Sequence, residues 1–269
     1  MPTVNVDGTT MHYVDTGAVV DAPTVVLLHA FPLHSGMWSP QVDALAPRFR
    51  VIAPELKGFG SSDAPEEPSS YSVAGWADDV AAMLAALGLG SVVVVGLSMG
   101  GYVAFSLLER HRGLVSALVL ADTRAEPDSE QVLQRRTDQQ RRVREEGTMA
   151  VIDALLETLL SEHSREHRPE VVVEARRLMD NPPAGFSGAL EAMKSRPDST
   201  ARLDAIDVPT LVMVGAHDQP SPPEVAQAMH ERIPGSRLAV LPNAGHLSNL
   251  EVPDAFNQAL VGFLEEALP

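Results

Sequence analysis

The sequence predicts an α/β fold: a mostly parallel sheet with an antiparallel N-terminal edge, helices on both faces, and a helical cap inserted late in the chain. Three observations carry this. Short runs of branched apolar residues at 25–28, 92–95, 118–121 and 211–214 read as strands buried on both faces, which implies parallel pairing. Helical patterns alternate with them. One long stretch, 124–200, interrupts the alternation with no convincing strand.

In chain order, residues 3–6 and 11–14 flank Asp7-Gly8, a strong two-residue hairpin signal, so an antiparallel edge precedes the parallel strands. After the 25–28 strand, the stretch 73–87 has helical periodicity. Val80, Met83, Leu84 and Leu87 face inward, Asp78 and Asp79 face water, and Gly88 is the stop. Residues 131–146 and 148–161 read as cap helices, and Asn181-Pro-Pro-Ala-Gly breaks the helical run. After Asp207-Val-Pro the parallel pattern resumes with a strand at 208–214, a helix near 223–233, a strand at 237–241 and a last helix near 253–267. The expected division is a core of 1–123 plus 201–269, with 124–200 as the cap.

Composition narrows the function. The 269 residues are 45% apolar and carry a formal charge of −16, which would repel nucleic-acid phosphates and anionic lipid. Aromatic residues, at 4%, offer little for stacking bases. The absence of cysteine removes disulfides, thiolate nucleophiles and cysteine-ligated metals. Met1-Pro-Thr-Val-Asn-Val-Asp-Gly does not read as a secretory signal, and the apolar runs fall far short of the roughly 20 residues a membrane helix needs. The expectation is a soluble cytoplasmic protein with a small-molecule partner, no nucleic acid and no membrane. Oligomeric state is not legible.

Chemistry concentrates at the ends of the predicted strands. Gly96-Leu97-Ser98-Met99-Gly100 follows the valine strand directly and opens an apolar helix. A sharp strand-to-helix turn would lift a serine hydroxyl above the sheet, with glycines removing Cβ atoms that would clash. That makes Ser98 the candidate nucleophile, and a serine needs a base to accept its proton. Of nine histidines, His246 lies in Pro242-Asn-Ala-Gly-His, a turn after the last predicted strand and on the same sheet edge as Ser98. His12, His111 and His230 fall on strand or helix faces, and His217 adjoins the proposed acid. Asp218, after the 208–214 strand, is the candidate acid that orients the histidine, with Asp122 as competitor after the 118–121 strand. The order Ser, Asp, His favours Asp218.

An oxyanion requires two backbone donors. Met99 supplies one by following the nucleophile, and Phe31, in the His29-Ala-Phe-Pro-Leu-His loop after the first buried strand, is assigned the second. His29 and His34 then shape that loop. Two other features read as solvated surface: the Arg-rich stretch 134–146, and His163 with His167, which lack a third metal ligand. No metal or cofactor is called for.

The His29-Ala-Phe-Pro loop, Pro54-Glu-Leu-Lys-Gly-Phe-Gly-Ser-Ser, Gly96-Leu-Ser-Met-Gly-Gly and Asn243-Ala-Gly-His-Leu-Ser-Asn-Leu-Glu-Val-Pro together resemble an α/β-hydrolase over the whole chain outside the cap. Within that superfamily the chain is similar to bacterial carboxylesterases, cofactor-free haloperoxidase-type esterases and 3-oxoadipate enol-lactone hydrolases. Ala30, Glu55 and Lys57 depart from the usual Gly, Asp and Arg. The resemblance implies an acyl-enzyme mechanism on a small ester, with lactone hydrolysis second and perhydrolysis as a side reaction. Carbon–carbon bond hydrolysis uses the same residue types, whereas nucleophilic aspartate chemistry is disfavoured by Ser98. A ligand-binding module with little turnover is the rival from another class.

Overall fold

The computed structural model describes residues 1–20 and 22–267. An eight-stranded sheet runs in the order β1-β2-β4-β3-β5-β6-β7-β8. Its antiparallel edge is the hairpin of β1 (Thr3–Val6) and β2 (Thr9–Asp15), turned at Asp7 and Gly8 with φ of 48° and 86°. Positive φ at both turn residues is what a tight hairpin matched to strand twist requires. β2 pairs antiparallel with β4 (Arg50–Pro54), and from β4 across to β8 every pairing is parallel.

The predicted buried strands are β3 (Thr24–Leu28), β5 (Val92–Leu97), β6 (Val115–Ala121) and β7 (Thr210–Gly215), with β8 (Arg237–Leu241) at the exposed edge. Every residue of β5 is buried. At roughly 1.5–3 kcal/mol per buried valine, its run of four is a large local contribution to the core. β4 lies outside the strands expected from sequence. It offers only Val51, Ile52 and Ala53 between Arg50 and Pro54, and its pairing comes from β2 and β3, both distant in sequence.

The helices are α1 (Ser39–Leu45), α2 (Val73–Ala86), α3 (Met99–Arg110), α4 (Glu130–Glu146), α5 (Met149–Leu159), α6 (Glu162–His167), α7 (Pro169–Leu178), α8 (Pro183–Lys194), α9 (Pro223–Arg232), α10 (Ser248–Glu251) and α11 (Pro253–Ala267). α2 packs on α3, and α1 packs on α11. Ser72 caps α2 by accepting the Gly75 N–H at 2.9 Å, and Gly88 ends its last turn at φ 67°. Asp79 does not face water as its position in the pattern suggests. It is buried and paired with Lys57 at 3.0 Å. Among the described residues no helix is long and apolar enough to cross a membrane.

The chain enters the parallel sheet at β3, goes to one side for β4, and returns to the other side for β5. The connections after β3 and β5 therefore leave in opposite directions, which opens a crevice at the carboxyl ends of those strands. The helices α4 to α8 all lie between β6 and β7 in the chain.

Candidate active site

Ser98 sits between β5 and α3 at φ 55°, ψ −114°. A non-glycine residue in this region costs about 1–3 kcal/mol, so surrounding contacts must hold it. They do so through the Ser98 N–H, which donates to the Ala121 carbonyl at 2.9 Å, and the Thr123 hydroxyl, which donates to the Ser98 carbonyl at 2.8 Å. The flanking glycines permit the close approach. A Cβ on Gly96 would strike the Gly100 carbonyl, and one on Gly100 would strike the Leu28 carbonyl.

His246 follows β8, and its Nε2 lies 2.7 Å from Ser98 Oγ. Its Nδ1 lies 2.9 Å from both carboxylate oxygens of Asp218, on the turn after β7. A carboxylate only accepts, so Nδ1 carries the proton and Nε2 is left to accept from the serine. Ser98, Asp218 and His246 are 9%, 3% and 4% exposed, so the line is nearly sealed from bulk water. The sequence-predicted trio is thus brought into contact.

Asp122 is not part of that line. It accepts from the Gly215 N–H at 2.8 Å and from the Ser248 hydroxyl, next to Asp218. Burial and the charge of Asp218 push its carboxyl well above the usual carboxylate range. The other histidines lie elsewhere: His111 pairs with Asp78 at 2.7 Å and His230 with Ser236 at 2.9 Å.

Leu28 of β3 pairs with Gly96 of β5, so the loops that follow run side by side, about 4.8 Å apart at the strands. This brings Phe31 and Met99 to the same crevice. Met99 is the first residue of α3, where N–H groups lack intrahelical partners. Among the described residues neither the Met99 nor the Phe31 N–H has a backbone acceptor outside its own element.

His29 holds the Phe31 loop. Its Nδ1 donates to the Ala30 carbonyl at 3.0 Å and its Nε2 accepts the Leu56 N–H at 3.1 Å, which requires a neutral ring. Burial drives its pKa down to about 4, against the opposing pull of the Ala30 bond. The folded value lies below that of an unfolded histidine, so the unfolded chain takes the proton first as pH falls. Stability is accordingly expected to be lost from about pH 6.5 towards 4, with this group contributing up to about 1.4 kcal/mol per pH unit. Urea unfolding at several pH values should show a shallower slope in His29→Gln, and an unchanged slope would contradict the assignment.

Several supporting residues escaped the sequence reading. Ser221 donates its N–H and hydroxyl to Asp218 at 2.9 and 2.8 Å, fixing the acid, and the spacing Asp-x-x-Ser was the available signal. Buried Glu251 accepts the Gly245 and Ser161 N–H groups, both at 2.8 Å, while the His246 N–H donates to the Leu159 carbonyl at 2.9 Å. The histidine turn is thereby tied to the helices between β6 and β7. Asn181 ties the Phe31 loop similarly: it donates to the Pro32 carbonyl and accepts the Gly60 N–H, both at 2.7 Å. Glu55, where aspartate is usual, accepts from Ser35 at 2.9 Å and from the Ser61 N–H at 2.7 Å. Burial raises its pKa, but the His34 ring 3.5 Å away and hydrogen bonds from Ser61 and Ser35 outweigh burial and hold it at about 2.

Over Ser98 and His246 lies a cavity of about 580 Å³, walled by α4 and α5. The Arg-rich stretch keeps the expected solvated face, with Arg135, Arg141 and Arg144 exposed, but part of it also borders this cavity. The intrahelical pairs Arg141–Glu145 (3.5 Å) and Arg142–Glu146 (3.7 Å) are present, yet Arg135, Arg136 and Arg142 line the cavity.

The family described as the alpha/beta hydrolase fold matches residues 23–253. Among solved structures, a thermophilic esterase from Thermogutta terrifontis, determined with malate bound, is 39% identical, with a TM-score of 0.93 over 99% of this chain and 97% of that one. The enol-lactonase from Burkholderia xenovorans LB400 is 32% identical, with a TM-score of 0.91 over 98% of this chain and 100% of that one. A putative 2-succinyl-6-hydroxy-2,4-cyclohexadiene-1-carboxylate synthase of Bacillus subtilis (strain 168) is 30% identical over 98% of this chain and 99% of its own length.

Proposed function

Because the chain belongs to the α/β-hydrolase fold family, we propose that it hydrolyses small carboxylic esters through an acyl-enzyme on Ser98. The observation that carries this is the unbroken line from Ser98 Oγ through His246 to Asp218, at 2.7 and 2.9 Å. Ser98 Oγ attacks the ester carbonyl carbon as its proton passes to His246 Nε2. The imidazolium is stabilised by Asp218, and the developing oxyanion is met by the N–H groups of Phe31 and Met99. Collapse expels the alcohol, which takes the proton from His246. Water then releases the acid by the same steps in reverse roles.

Residues 124–200 act in this scheme as a cap on a core of 1–123 and 201–269, closing the cavity and selecting the acyl group. A lactone is the second substrate class. The Burkholderia enol-lactonase supports it, and the chemistry differs only in that the leaving alcohol stays attached to the acyl chain.

The test is a stopped-flow trace with p-nitrophenyl acetate, followed by acid quench and peptide mass analysis. A burst of p-nitrophenol with an acetyl group on the Ser98 peptide is expected. Ester consumption without any acylated serine would refute the mechanism.

A further inference from the structure

We infer that the cavity is built for esters or lactones bearing a carboxylate remote from the reacting carbonyl, held by Arg135 and Arg142 of α4. This deepens the ester-hydrolase reading and rests on it for the position of the reacting carbonyl.

Besides Arg136, the wall contributed by α4 holds Gln131, Gln134, Arg135, Asp138, Gln139 and Arg142. Steps of three and one along a helix keep these residues on one face. Gln131, Gln134 and Arg135 are exposed and Asp138, Gln139 and Arg142 half-buried, so this polar face stands at the open mouth of the cavity, while Gln140 and Val143 are the buried residues of α4. The opposite wall is apolar, with Val151, Leu155 and Leu159 of α5, and the floor holds Ser98 and His246. A ligand spanning the cavity would lay a hydrocarbon segment on α5 and a polar end on α4.

The polar end is specified by charge. The lining holds three arginines, Arg135, Arg136 and Arg142, against one carboxylate, Asp138. Arg136 is held by buried Asp128 at 2.5 Å, but Arg196 shares that carboxylate at 2.6 Å, so two guanidinium groups meet one negative charge. Among the described residues, Arg135 has no carboxylate partner within 4.0 Å. Arg142 reaches Glu146 at 3.7 Å and donates one N–H to the Ala150 carbonyl, which fixes its guanidinium at the cavity and leaves its other N–H groups for a ligand. This local excess stands in a chain of net charge −16, where a random patch of surface would be acidic. A partly enclosed wall with an excess of one sign draws in the opposite charge more strongly than open surface does. The planar guanidinium fork matches a carboxylate in geometry. Arg135 and Arg142 stand seven residues apart, two turns or about 10 Å along the helix, offering stations for chains of two lengths.

The experiment compares the anionic p-nitrophenyl hydrogen pimelate with p-nitrophenyl 7-methyloctanoate, its neutral isostere. The wild type is expected to favour the anion in kcat/KM by about tenfold or more at low salt, chiefly through KM, and less at high salt. Arg135→Gln combined with Arg142→Gln should remove that preference. Arg144→Gln, a charge loss on α4 outside the cavity wall, should keep it. A wild-type ratio near one, or a preference that survives the double substitution, overturns the inference while Ser98-dependent hydrolysis of the neutral ester leaves the proposed function standing. If neither ester is turned over, it is the proposed function that fails. Calorimetry of methyl hydrogen pimelate on the Ser98→Ala protein then decides the inference separately. Binding weakened about tenfold by the double substitution supports it, and equal or absent binding overturns it.

Discussion

Replacing Ser98 with alanine is expected to lower kcat by roughly five to six orders of magnitude on any ester the wild type turns over. The reason is local. Ser98 Oγ is the atom that His246 Nε2 approaches at 2.7 Å, and alanine leaves that base with nothing to activate. Alanine has the same backbone preferences at φ 55° as serine to a first approximation, so the turn should persist. The circular dichroism spectrum and thermal midpoint should therefore be close to wild type. What activity remains would come from the oxyanion donors and from binding alone. Turnover within tenfold of wild type would remove Ser98 from the mechanism.

Asp218→Asn and Asp122→Asn should separate by about three orders of magnitude, although both residues are buried acids beside the same sheet edge. Asp218 receives His246 Nδ1 on both oxygens at 2.9 Å. An amide there can present N–H to the ring and favour the wrong tautomer, so kcat should drop by about 10⁴-fold. Among the described residues Asp122 makes no hydrogen bond to His246; its partners are Gly215 and Ser248. Asparagine in its place keeps an acceptor for the Gly215 N–H and gains a donor towards Ser248, so kcat should stay within about tenfold. The pH dependence of stability should separate them too. The folded pKa of Asp122 is raised by burial and by Asp218, so the folded state holds its proton above the pH at which the unfolded chain has lost it. Stability falls as pH rises through that window. Asp122→Asn should show less of this decline when urea unfolding is followed upward from the ordinary carboxylate range, and a steeper one would contradict the burial argument.

The parts of the fold legible in the sequence are those whose signal is local. The runs at 92–95 and 118–121 announce themselves as strands because burial on both faces leaves no polar alternation, and Asp7-Gly8 announces its own turn. β4 has three apolar residues bounded by Arg50 and Pro54, and its stability comes from β2 and β3 on either side. No window around it contains that information. Asp79 illustrates the same limit, since helical periodicity placed it outward and Lys57 holds it in from a different segment.

The site divides along the same line. Ser98, Asp218 and His246 each follow a recognisable strand, and parallel strands deliver their following turns to one edge. Glu251 joins Ser161, 90 residues away, and Asn181 joins Pro32 across 149 residues. Those partners exist only once the helices after β6 have docked. Ser221 was within reach, three residues beyond its acid. For α4, spacing tells which residues share a face but not what the face looks at, and that its arginines border the cavity follows only from where the helix docks.

The central claim is that Ser98 is an activated nucleophile in a built site. Intact mass spectrometry after treatment with a fluorophosphonate tests it most directly, because the probe needs an activated serine and no knowledge of the substrate. One adduct on the wild type, absent from Ser98→Ala and much slower to form on Asp218→Asn, is the predicted result. No adduct on folded wild type, or an adduct that persists in Ser98→Ala, would contradict the account.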